Sequence, residues 1–155
     1  MLDLIARLAY RGPLRLLDGG NRFDLYKCST AIARLLGSGN AALPHLLERI
    51  QLARAFTCYQ MITLLKQTPL QAAPTLVLDL LSTFYDESVS DLESQRLLQT
   101  CILELQRLNR LAPVAISARP GLPGARPELL DLLQAAAGQV WTLEPHSPPP
   151  LPRLF

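Results

Sequence analysis

Charge is scarce in this chain. Of its 155 residues only 18% are Asp, Glu, Lys or Arg, and the formal net charge is +2. A balance so close to neutral gives no general attraction toward nucleic acid or an anionic membrane, and leaves such contacts to a local patch. Long apolar runs are also missing. No stretch of about 18 apolar residues occurs, which argues against a membrane span. The opening segment MLDLIARLAYRG has an acid at position 3 and is too interrupted for a secretory signal. Cysteine is limited to Cys28, Cys58 and Cys101, without C-x-x-C spacing, so reduced, buried thiols in a cytoplasmic protein are expected. The two histidines, His45 and His146, stand far apart and match no cysteine, which disfavours zinc. Ser82, Ser117 and Thr57 lack a G-x-S-x-G setting, so nothing points to a serine hydrolase. Nor is there a G-x-x-x-x-G-K-[ST] loop to cradle phosphates.

What remains is a chain with 49% apolar residues, long enough for one domain with one sizeable core. Helical spacing covers 1–10, 24–36 and 57–68, with Thr57 as a cap, and then 91–111 and 128–137. The longest helix carries a stripe of Leu98, Cys101, Ile102, Leu105 and Leu108. Its wet side includes Arg96, Gln99, Glu104, Arg107 and Arg110. Short apolar runs between these helices read as strands at 14–18, 48–55, 75–80, 114–117 and 139–144, and Trp141 is expected to pack the last of them against a helix. Strands alternating with helices imply right-handed crossovers. The expected fold is therefore a three-layer α/β/α domain over residues 1–144, with a mainly parallel sheet of about five strands. The proline-dense tail, 145–155, cannot join that sheet by its own donors.

The third strand is the most informative. Thr75-Leu76-Val77-Leu78-Asp79-Leu80-Leu81-Ser82 is an apolar run ending in an acid, the pattern by which a buried parallel strand delivers a carboxylate to the carboxyl edge of a sheet. Nucleotide-hydrolysing enzymes use such an acid to hold Mg²⁺ through its water shell. The same acid also serves as a simple strand-end cap, and both roles are open for Asp79.

Several segments, in order, resemble the RecA/RadA-type recombinase ATPase core. Leu16-Leu17-Asp18-Gly19-Gly20-Asn21-Arg22-Phe23 is similar to that family's second core strand and its turn. Ile50-Gln51-Leu52-Ala53-Arg54-Ala55-Phe56 resembles its ARAF strand-to-helix segment. Thr75–Leu80 looks like its Walker B strand, and Val114-Ala115-Ile116-Ser117-Ala118-Arg119 like the strand before the first DNA-binding loop. The resemblance spans roughly residues 1–144. It implies that the family's catalytic glutamate falls at about Gly20 and its phosphate-sensing glutamine at about Arg119. The Walker A strand, which lies inside the family's sheet, would precede Met1.

With several parts of the phosphoryl-transfer machinery replaced together, no catalytic residue and no metal site are expected. The resemblance implies a RecA-like pseudo-ATPase, an accessory protein in DNA recombination or repair. Its expected partners are a RecA-like ATPase, a second copy of itself or single-stranded DNA, with no membrane. Asp79 would be a vestigial Walker B acid, and Arg54, Arg119 and Arg126 contacts for a partner or for phosphates. No cofactor is expected; Mg-ATP enters only under the alternative that the chain is part of a longer, ATP-dependent recombinase. An unrelated α/β enzyme with a small-molecule pocket at the strand edge is a third expectation.

Overall fold

The computed structural model describes residues 1–37, 40–86, 88–121 and 126–143. The proline-dense tail expected at 145–155, Glu144 and the middle of the 119–127 loop lie outside the described residues.

Among the described residues, four strands form one all-parallel sheet: β1 (Leu14–Asp18), β2 (Ile50–Arg54), β3 (Thr75–Leu78) and β4 (Val114–Ile116), in the spatial order β2-β1-β3-β4. Six helices accompany them: α1 (Leu2–Arg11), α2 (Leu25–Leu36), α3 (Leu43–Glu48), α4 (Cys58–Gln67), α5 (Asp91–Asn109) and α6 (Pro127–Ala136). Local signals account for most of these limits. Asp24 caps α2 by accepting from the N–H groups of Tyr26 and Lys27, Thr57 caps α4 through Gln60, and Ser90 caps α5 through Glu93. The short helix α3, unassigned in the sequence, starts with Pro44 in its first turn, where a missing N–H costs nothing.

Period-2 alternation along the strands splits the core into two layers. Leu17, Val77, Val114 and Ile116 face α4, α5 and α6, where Met61, Leu65, Phe84, Leu98, Cys101 and Leu129 complete the packing. Leu14, Leu16, Leu76 and Ala115 face the other way, toward Ile5, Cys28, Ile32 and Leu46 of α1, α2 and α3. The expected three-layer α/β/α arrangement follows from these two faces. All five residues of β1 are buried, as a central parallel strand requires. The three cysteines are free and buried, and desolvation pushes the Cys101 thiol up to about 12, with Cys58 nearby adding to it.

Three expectations are corrected. The sheet has four strands, not about five, because Gln139–Leu143 pairs with no other described strand. Trp141 is 72% exposed rather than packed. Strand propensity expresses fit to a pleated, half-buried surface, and here none of the described residues buries the segment. Arg107 also leaves its expected wet side. Its guanidinium donates to the carbonyls of Leu65 (2.9 Å) and Thr68 (3.1 Å), closing the end of α4.

The chain runs from β1 outward to β2, then crosses back over β1 to β3 and on to β4. The direction of winding reverses between β1 and β3. The crevice beyond the carboxyl ends of those strands is where ligands bind in open parallel sheets.

Candidate functional site

That crevice is built by the turns that follow β1 and β3. Asp18 ends β1, opposite Arg54 on one side and Leu78 on the other. Its carboxylate is fully buried and accepts from the backbone N–H groups of Phe23 (2.9 Å) and Arg22 (3.3 Å). Arg54 Nε stands 3.4 Å from Asp18 Oδ2, and its Nη2 donates to the Phe23 carbonyl at 2.7 Å. The acid, the turn after β1 and the end of β2 thus form one bonded unit. Arg54, a candidate partner contact, is the outer member of it.

Asp79 lies just after β3, in a left-handed backbone conformation (φ 52°) that Asp tolerates better than most residues. Its N–H donates to Ser117 Oγ (3.0 Å), which ties it to the end of β4. Both carboxylate oxygens are engaged by one guanidinium: Arg119 Nε donates to Oδ1 at 3.3 Å and Nη2 to Oδ2, a two-point fork. Hydrogen bonding to Asp79 raises the Arg119 pKa further, so the guanidinium stays charged. Tyr85 OH donates to the Arg119 carbonyl (3.2 Å) and steadies the approach of the loop.

Above this pair the chain passes Gly19 and Gly20. A Cβ on Gly20 would lie 2.6 Å from Asp79 Oδ2 and 2.8 Å from its Cβ; one on Gly19 would lie 3.0 Å from the Asp79 carbonyl oxygen and from Met61 Cε. These glycines are needed for close approach. The Asp79 carboxylate fills the space that a side chain at position 20 would need.

Arg126 stands apart from the crevice. At the start of α6 its side chain, 12% exposed, turns inward and donates to five acceptors: Asp91 Oδ1 (2.7 Å), the carbonyls of Phe84 (2.6 Å), Asp86 (3.1 Å) and Val89, and Ser94 Oγ (2.8 Å). The structure therefore brings Asp79 and Arg119 together, holds Arg54 against Asp18 nearby, and commits Arg126 to internal bonds. Asp18 was the functional-edge acid that sequence reasoning passed over. The signal for it is the one used for Asp79, an apolar strand ending in an acid before a turn.

A depression of about 210 Å³ lies between the middle of β1 and β2 and the end of α4, lined by Arg15, Leu17, Gln51, Leu52, Leu64 and Pro69 and by none of these groups. No cluster of three or more His, Cys, Asp or Glu residues suited to a metal ion occurs among the described residues. None of the described helices is long and apolar enough to cross a membrane. No protein-family model and no curated protein sequence matches this chain.

Proposed function

We propose that this chain is a RecA-like pseudo-ATPase: a non-catalytic interaction protein of DNA recombination or repair that presents the carboxyl edge of its sheet to a partner. The family likeness rests on the ordered motifs in the sequence. One observation carries the non-catalytic part, the Arg119–Asp79 fork seated against Gly20. On the resemblance, positions 20 and 119 are where the water-activating glutamate and the phosphate-sensing glutamine would stand. Here the first is a glycine whose missing side chain is replaced by the Asp79 carboxylate. The second is an arginine that neutralises that carboxylate. A hydrated Mg²⁺ at Asp79 would have to displace a charged, two-point hydrogen-bonded partner, and no lysine-bearing phosphate loop in this sequence would repay the exchange. The residues present do not fit Mg-ATP.

Within this reading Arg119, 54% exposed on its side chain, is the candidate with surface left for a partner or a phosphate backbone. Arg54 contributes at the flank.

Thermal unfolding with and without Mg-ATP tests the proposal. A ligand at a hundred times its Kd stabilises by about 2.7 kcal/mol, roughly 5–10 °C for a chain of this size. The expected result is no shift in melting temperature. A rise of that order, lost in Asp79→Asn, would overturn the reading. Mobility shifts with single-stranded DNA, read as a slope against salt, separate a nucleic-acid contact through Arg119 from a purely protein-directed role.

A further inference from the structure

The β4 flank of the sheet carries two deficits that match. Toward β3, the Thr75 N–H donates to the Pro113 carbonyl (3.0 Å) and the Ser117 N–H to the Val77 carbonyl (2.8 Å). Parallel pairing alternates along a strand, so the polar groups of Ala115 also point to β3 and those of Val114 and Ile116 point away. Asn109 Oδ1 takes the Val114 N–H at 3.2 Å. The Val114 carbonyl and both backbone groups of Ile116 face a flank where no other described strand pairs. The second deficit is Gln139–Leu143. This stretch of strand-forming residues leaves α6 through Ala137 and Gly138 and pairs with no described strand, with Val140, Trp141 and Leu143 exposed by 49%, 72% and 87%.

An open edge and an unpaired apolar strand on one chain are the two halves of a strand addition. The β2 edge is a poorer acceptor, since Gln51 and Arg54 give it polar and charged side chains, whereas Val114-Ala115-Ile116 carries none. We propose that two copies of this chain exchange residues 139–143, each laying its segment along the other's β4. Each copy offers one edge and one strand, so the exchange satisfies both and closes at two copies with two-fold symmetry. Among the described residues the segment after α6 does not pair with its own β4, which leaves it to a neighbour, the setting of a swapped element. Seating Trp141 under the new strand supplies the largest single apolar contribution. None of this uses the nucleotide reading, and it stands whether or not Mg-ATP binds.

Trp141 is the chain's single tryptophan, so its emission reports on this flank alone. Light scattering across a concentration series should show the mass doubling, with Trp141 emission shifting to the blue over the same range. Ile116→Pro removes an outward N–H while leaving the β3 ladder intact, a substitution that edge strands tolerate. It should weaken self-association by about tenfold or more and return the emission toward that of exposed tryptophan. Circular dichroism checks that the variant folds, and Leu143→Lys makes the same test with the edge untouched. A monomer at every concentration, whatever its emission, overturns the proposal. So does a dimer that neither variant weakens.

Discussion

Asp18 closes β1 and Asp79 follows β3, the strand beside it, so two carboxylates arrive at one sheet edge. Asp18 is fully buried and held by two backbone N–H groups, with Arg54 at the rim. Asp79 keeps 13% of its side chain exposed, sits in a left-handed backbone and accepts from one half-exposed side chain, Arg119. Burial makes the first acid part of the scaffold, since losing it strands donors that water cannot reach. The second balances a strained backbone against an ion pair in partial contact with solvent, the kind worth little on its own. Position in a strand does not distinguish these roles; the number of fixed donors around the carboxylate does.

The comparison can be broken most directly at Asp18. Asp18→Ala should cost about 3 kcal/mol, because the Phe23 N–H loses its acceptor in the interior and Arg54 its partner. A urea-denaturation midpoint that gave less than about 1 kcal/mol would remove the distinction. Gly20→Ala comes next, at roughly 1–3 kcal/mol, from overpacking against Asp79. Asp79→Gly in the same chain clears the clash and suits the positive φ, so the double variant should recover most of that loss in a mutant cycle. Arg119→Ala should be the mildest, below about 1 kcal/mol and smaller still in high salt. A larger loss would mean that the fork, and not only the burial of Asp18, supports the fold.

Much of the architecture was legible in the sequence. The limits of β1 were read without error, since Pro13 and Gly19 bracket a run that is apolar apart from Arg15 and its closing Asp18. The cap at Thr57 placed the start of α4 to within a residue, and helical spacing from 24 and from 91 did the same for α2 and α5. Gln139–Leu143 misled because propensity reports what a segment suits, and pairing needs an edge within reach. The site was half legible. Asp79 and Arg119 were both named, but no linear pattern announces that residues 40 apart form a fork, or that Gly20 is held open for a carboxylate. Arg126 shows the converse. In a loop rich in proline and glycine it looks solvated, yet the acceptors it meets come mostly from backbone carbonyls, which carry no sequence signature.

That arginine has a mechanical consequence. From the start of α6 it stitches the carbonyls of Phe84, Asp86 and Val89, the Ser94 hydroxyl and the Asp91 carboxylate to one planar group. That helix is therefore a wedge as well as a cover. A polypeptide cut before position 126 would lose the brace that shapes the turn between β3 and α5, and the damage would travel inward from the end of the chain.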